Sequence, residues 1–321
     1  MAKKSFLGKW LKRLFYLLIL FFIVSNFIIY NHAYHFTHFV DKELPKVTSE
    51  TLNNSPWSEK IKLGIYGVEV PKSRNTTKPT ASYKTITMGS LPQLHAWWIP
   101  TEQTPQGIAI FFHGYSASKS SQIERARILR SLGYHTFLVD FRGHGDSEGL
   151  TTTIGSREAY DVRTAYEYIK TYYDLPITMI GTSMGAVSIL KAIKQYRLDI
   201  KNVILECPYG SLRDAVYNRF ENMDLPTILL PELLLFWGGV QANMNSWELN
   251  TVDYAKSITI PTLVLYGAQD PKVRRYEIDA VFNALAGPKK LEILEKAAHD
   301  NIMQDDPTTW TKVVWEFLET Y

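Results

Sequence analysis

Ser183 stands between two glycines in the run Gly181-Thr182-Ser183-Met184-Gly185, with the apolar β-type stretch "ITMI" before it and the small-residue stretch "AVSIL" behind. A nucleophilic hydroxyl at a sharp strand-to-helix turn needs this spacing. The backbone is strained there, and neighbouring chain passes too close for larger side chains. The same five residues also suit an ordinary helix start capped by serine. A base, and a group to orient it, would separate the two readings.

Eight histidines are present. His32, His35 and His38 follow a long apolar run, His95 and His135 lie in or beside strand-like stretches, and His113 and His144 sit in glycine-rich turns. His32, His35 and His38 share a helical face by their spacing; metal binding is conceivable for them, and a place at a membrane interface is the plainer account. His299 in "KAAHDNIM" remains, on a loop between the last strand-like run and the terminal helix-like run. Folds built on parallel strands gather their chemistry at the carboxyl edge of the sheet, and Ser183 shares that edge. Asp270 in "LVLYGAQDPKV" follows another strand directly and gives the order Ser, Asp, His. Glu206 in "VILEC" is the rival acid, with a buried, paired carboxylate as its other possible role. Negative charge on a tetrahedral intermediate calls for aimed backbone N–H groups. Met184, at the start of a helix, offers one, and Tyr115 in the early turn "FFHGYSAS" offers the other, with its ring available to the pocket wall. Arg142 and Asp146 in "VDFRGHGDSEG" read as a paired structural brace.

These residues need a scaffold that brings their loops together. "YKTITM" and "LHAWWIP" read as a hairpin, and "GIAIFFHG", "HTFLVDF", "ITMIG", "NVILEC", "TLVLYG" and "KLEILE" as further strands. Helical patterns lie between several of them, as in "SQIERARILRSLG" and "SREAYDVRTAYEYIKTYY", and "TTWTKVVWEFLETY" closes the chain. The alternation predicts an α/β fold with a mostly parallel sheet covered on both faces. Between about Gly210 and Lys256 it breaks into a Leu-, Pro- and aromatic-rich stretch, taken as an insertion over 211–256. That stretch suits packing helices and also a cap over the site. Leu229, Leu233 and Phe236 fall at a spacing that lets them share one face, turned to core or to ligand.

The first thirty residues lie outside this scaffold. Leu14 to Tyr30 is 17 residues without a charge, about 26 Å as a helix and near the short end of what spans a bilayer. Lys3, Lys4, Lys9, Lys12 and Arg13 precede it, which predicts a cytoplasmic tail over 1–13, a single-pass anchor over 14–30 and translocation of everything after. A cleaved signal peptide would instead need small residues where Tyr30-Asn31-His32 stand. Residues 31–80 read as a juxtamembrane connector whose patch "IKLGIYGVEV" could add an edge strand, and Asn53-Asn54-Ser55 and Asn75-Thr76-Thr77 match the glycosylation sequon. A formal charge of +3 concentrated at the N-terminus argues against a nucleic-acid partner. The single cysteine, Cys207, rules out an intramolecular disulfide and a cysteine-based zinc site.

"FFHGYSAS", "VDFRGHGDSEG", "GTSMG", "LYGAQD" and "AAHDN", in that order, resemble the α/β-hydrolase superfamily. The likeness is closer to its monoacylglycerol-lipase and serine-aminopeptidase-like branch, which includes single-pass anchored members. It covers Tyr83 to Tyr321, so that 81–321 is expected to form the hydrolase domain, and it departs at Thr182, where many relatives carry histidine or a bulkier residue. The resemblance places the triad on Ser183, Asp270 and His299 and the oxyanion amides on Tyr115 and Met184. It implies a membrane-anchored serine hydrolase that forms an acyl-enzyme on a carboxylic ester, with no metal or organic cofactor. A lipid-like acyl chain fits the membrane address and the apolar 225–237 segment. A peptidase or amidase using the same triad, and a binding protein that keeps the scaffold without turnover, are the other readings. Oligomeric state stays open.

Overall fold

The computed structural model describes residues 2–44, 51 and 55–321. Helix α1 (Ala2–Thr37) leads into a short strand β1 (Phe39–Val40), helix α2 (Trp57–Tyr66) and strand β2 (Val70–Pro71), which pairs in parallel with β1. The main sheet then forms from β3 (Lys84–Met88), β4 (Leu94–Ile99), β5 (Gly107–Phe112), β6 (Tyr134–Val139), β7 (Ile177–Thr182), β8 (Asn202–Glu206), β9 (Thr262–Gly267) and β10 (Lys289–Leu294). Its order is β10-β9-β8-β7-β5-β6-β4-β3, with β4 antiparallel to both its neighbours, β3 and β6, and every other adjacent pair parallel. Every residue of β5, β7, β8 and β9 is buried. That is why these strands read as mostly apolar runs without alternation, their polar residues being Thr178, Thr182, Asn202, Glu206 and Thr262: a strand covered on both faces has no solvent side to alternate with.

Helices α3 (Ile123–Ser131), α4 (Glu158–Tyr172) and α5 (Met184–Tyr196) make the early crossovers, α9 (Arg275–Ala284) crosses from β9 to β10, and α10 (Ile302–Asp305) and α11 (Pro307–Thr320) follow the last strand. Between β8 and β9 the chain inserts α6 (Leu212–Asn222), α7 (Leu230–Ala242) and α8 (Thr251–Ala255). Because the inner strands are parallel, the turns after β5, β7, β8 and β9 all emerge at one edge.

Two expectations change here. "IKLGIYGVEV" adds no strand to the main sheet. Its first half belongs to α2, which follows Pro56 and carries Glu59 in its first turn, and only Val70 and Pro71 extend, pairing with β1. The Arg142–Asp146 brace is two separate pairs. Arg142 takes Asp161 of α4 at 2.6 Å, while Asp146 accepts from Lys119 at 2.6 Å and from Asn75 at 2.9 Å. Asn75 Nδ2 also donates to Asp140 Oδ2 at 2.8 Å, so a glycan there would break both of its carboxylate contacts. The other sequon's Asn53 and Asn54 lie outside the described residues.

Helix α1 does not stop at Tyr30. Its exposed stretch runs from Gly8 to Val24; beyond that, Ser25, Ile29, Ala33 and Thr37 form a buried stripe at a spacing of four. The stripe faces α6 and α7, where Ile29 and Ala33 cluster with Phe220 and Leu234. Trp237 Nε1 donates to Asn26 Oδ1 at 3.0 Å, and Gln241 Nε2 donates to the Tyr30 carbonyl at 2.9 Å. The segment Gly8–Thr37 is long and apolar enough to cross a membrane. Leu229, Leu233 and Phe236 do not act as one face: Leu233 packs toward α1, while Leu229 and Phe236 are exposed.

Candidate active site

Ser183 follows the last residue of β7 directly and holds φ +51° and ψ −112°, a conformation that costs an L-residue energy unless its surroundings enforce it. Two contacts do so. Its amide donates to the Glu206 carbonyl at 2.8 Å, and its carbonyl starts α5 by accepting from Val187 at 3.1 Å. The flanking glycines are needed for close approach. A Cβ on Gly181 would lie 2.6 Å from the Ala186 nitrogen, and one on Gly185 would overlap the Phe112 carbonyl. The turn after β5 crosses directly over this elbow, since a Cβ on Gly114 would sit 3.7 Å from that of Ser183.

Asp270 and His299 meet. Nδ1 of His299 donates to Asp270 Oδ2 at 2.6 Å, and both side chains are buried. The other carboxylate oxygen of Asp270 accepts from the amides of Lys272 at 2.7 Å and Val273 at 3.0 Å. Burial alone would raise the Asp270 pKa, but the His299 hydrogen bond and charge, together with those amides, hold it below the usual carboxylate range. The two loops are tied to each other by Gln269 N donating to the Ala297 carbonyl at 2.9 Å. Ser183 Oγ makes no hydrogen bond to His299 or to any other described group.

Glu206 is fully engaged elsewhere. Its carboxylate accepts from Thr182 Oγ1 at 2.7 Å, Trp310 Nε1 at 2.7 Å and Arg125 Nε at 2.9 and 3.0 Å, all beneath the elbow. With its backbone carbonyl also on the Ser183 amide, Glu206 braces the elbow from two sides and does not touch the imidazole.

The Met184 amide, first in α5, has no acceptor within its own helix. The Tyr115 amide sits between two residues whose positions are fixed by histidines that sequence reasoning set aside. His144 Nε2 accepts from the Ser116 amide at 3.3 Å, while His113 Nδ1 reaches the Gly114 carbonyl at 2.7 Å and its Nε2 accepts from the Phe141 amide at 3.1 Å. Both rings accept at Nε2, so each is neutral with its proton on Nδ1. Burial lowers both pKa values, His144 to about 3 with His113 beside it adding to the shift. Only their place in a glycine-rich turn hinted at this role. The Tyr115 ring turns toward the end of α1: its hydroxyl donates to the Phe36 carbonyl at 3.0 Å, and it packs on Phe36 and Phe39.

Cys207, which directly follows β8 and has φ +46°, is a further member that the sequence did not single out. Its sulfur, one Asp270 oxygen and one His299 nitrogen lie within 4.8 Å of one another. Burial, then the Asp270 charge, pushes the thiol pKa up, which favours a neutral thiol over the thiolate a metal would require.

A family model described as "Serine aminopeptidase, S33" matches residues 103–248. The chain is 24% identical over 230 residues to uncharacterized protein YqkD of Bacillus subtilis, covering 70% of this chain and 75% of that one. It is 23% identical over 209 residues to lysophosphatidylserine lipase ABHD12 of Xenopus tropicalis, covering 61% of this chain and spanning only 51% of that relative. Among solved structures, the esterase Pf2001 of Pyrococcus furiosus superposes with a TM-score of 0.65 at 21% identity, over 89% of this chain and 98% of that one.

Proposed function

From the premise that this chain is a member of the α/β-hydrolase superfamily, we propose that it is a membrane-anchored serine hydrolase of carboxylic esters. The observation that carries the reading is the 2.6 Å His299–Asp270 bond at the sheet edge where Ser183 is held in a strained elbow. In this mechanism Asp270 stays ionised and fixes the imidazole with its proton on Nδ1, leaving Nε2 to take the Ser183 proton. Ser183 Oγ then attacks the ester carbonyl, and the amides of Tyr115 and Met184 receive the oxyanion. Collapse of the intermediate expels the alcohol, which takes the proton from His299. Water, deprotonated by the same nitrogen, releases the acid and restores Ser183. The Ser183–His299 hydrogen bond forms as substrate enters, as catalytic contacts often do.

The frog relative's name as a lipase and the exposed apolar side chains Leu225, Ile228, Leu229 and Phe236 inserted between β8 and β9 support an ester with a lipid-like chain. Helix α1 would anchor the protein through 14–30 with the basic tail over 1–13 in the cytoplasm and the 81–321 domain outside, and α6–α8 would cap the site. The serine aminopeptidase description of the matching family model favours amide cleavage as a second reading. A fluorophosphonate probe tests the first step: it should label the wild-type chain and not Ser183→Ala, and equal labelling of both would overturn the assignment. A panel of p-nitrophenyl esters against aminoacyl anilides then separates esterase from peptidase.

A further inference from the structure

Besides the buried stripe that meets α7, helix α1 carries a second seated face. Phe27, Asn31 and His35 lie two residues on, about 200° around the helix, from Ser25, Ile29 and Ala33. This side holds the last turn of α2. Tyr66 packs edge-to-face on Phe27 at 6.2 Å between ring centres, and His32 Nε2 donates to the Gly64 carbonyl at 2.9 Å. Gly67, at φ +83°, follows so tightly that a Cβ there would sit 2.8 Å from the His35 ring. Toward α7, Tyr30 packs edge-to-face on Trp237 at 5.2 Å. Phe27 and Tyr30 are neighbours on α1 at a spacing of three, so the two aromatic pairs form one arc that joins both flanking helices to it.

On the anchor reading this arc has a definite depth. The exposed part of α1, Gly8 to Val24, is about 26 Å long, and Phe27 and Tyr30 follow it by about 4.5 and 9 Å. That is the depth of the head-group layer, where tyrosine and tryptophan rings collect. The flanking helices add apolar surface beside the arc. Phe236 and Val240, one turn apart on α7 and next to Trp237, are exposed. Helix α2 buries no residue against the described chain. Its Trp57 and Ile61, 78% and 56% exposed, form a stripe with Ile65 at a spacing of four, bordered by Lys60 and Lys62. An apolar stripe with tryptophan at one end and lysines beside it suits a helix lying in a lipid interface. Position favours lipid over a protein partner: each of these side chains is on a helix seated against α1 where it leaves the span.

We propose that α2 and the exposed flank of α7 rest in the phospholipid head-group layer of the leaflet from which α1 emerges, a second membrane contact apart from the span itself. A lone helix would leave the domain free to swing about its end. Contacts on two faces of α1 hold it at one tilt, with α7 on the lipid side. The proposal rests on the membrane-anchor reading for its depth and is independent of the hydrolase chemistry.

The full-length chain is reconstituted into phosphatidylcholine vesicles containing phosphatidylcholine spin-labelled on the head group or, in a parallel set, at mid-chain. Cys207 is buried, so a fluorophore can be attached at cysteines introduced one at a time by Ile61→Cys, Val240→Cys, Leu18→Cys and Tyr172→Cys, all at exposed positions. One fluorophore per chain shows that Cys207 has stayed covered and the fold is intact. Tyr172 ends α4 ahead of β7, at the opposite sheet edge from Ser183, and serves as the aqueous reference. The head-group quencher should act severalfold more strongly on the labels at Ile61 and Val240 than on that at Tyr172. The mid-chain quencher should act most strongly at Leu18. Labels at Ile61 and Val240 quenched no more than the reference would overturn the docking face, and so would quenching at only one of them, because the proposal needs both flanks. Failure at Leu18 alone would remove the span and leave the docking face standing. Quenching at Leu18 alone would keep the span and remove the docking face.

Discussion

Two carboxylates, Asp270 and Glu206, end neighbouring strands close to Ser183, and their hydrogen bonds divide their work. Asp270 accepts the hydrogen bond donated by His299 Nδ1, so Asp270→Asn should lower kcat by about 10⁴ through the wrong imidazole tautomer while the melting temperature barely moves. Glu206 holds Arg125, Trp310 and Thr182 under the elbow, so Glu206→Gln should cost roughly 3–5 kcal/mol of stability by leaving a buried guanidinium uncompensated. Steady-state kinetics and thermal melts on both variants test this split, and a reversal would exchange their roles. His144 gives a pH prediction. Its pKa drops from 6.5 unfolded to about 3 folded, so the unfolded chain binds the extra proton between those values. Stability should be full above about pH 6.5 and fall as pH falls toward 3, and His144→Asn should flatten that part of the profile of melting temperature against pH.

At the scale of elements, α1 serves two environments. The part from Gly8 to Val24 is exposed along its length, and the part from Ser25 to Thr37 closes a small apolar cluster with α6 and α7. A chain lacking residues 1–24 should therefore keep both its fold and its turnover of small esters. Removing residues 1–40 should expose Phe220 and Leu234, strip Phe36 from Tyr115, and give a chain that melts lower and hydrolyses poorly. Equal behaviour of the two truncations would show that the helix end is a passive tether. Because Trp237 and Gln241 pin α7 to α1, Phe236→Ala at the exposed flank of α7 should change stability little.

For the whole molecule, the basic tail and the apolar helix predict an integral protein with its N-terminus inside. The full chain should resist carbonate extraction, and its C-terminus should be cleaved by protease added only from the outer face. Cleavage from the cytoplasmic face would reverse the orientation. The same arrangement sets the mouth of the candidate site close to the bilayer, since the helix that would cross it also supplies Phe36 beside Tyr115.

The sequence by itself determined what is local. Buried parallel strands are apolar at most positions, so β5 and β7 to β9 announced themselves, and an elbow that tolerates no Cβ at Gly181 and Gly185 left its mark in five residues. Asp270 and His299 could be named because each ends a legible strand on a short loop. Tertiary structure decided what depends on chains meeting across long separations. Arg142 took Asp161 over the nearer Asp146, and Glu206 took Arg125, 81 residues away. The helical stripe Ser25–Thr37 found α7, more than 200 residues on, because apolar surface pairs with whatever surface the fold brings to it and carries no address in its own sequence.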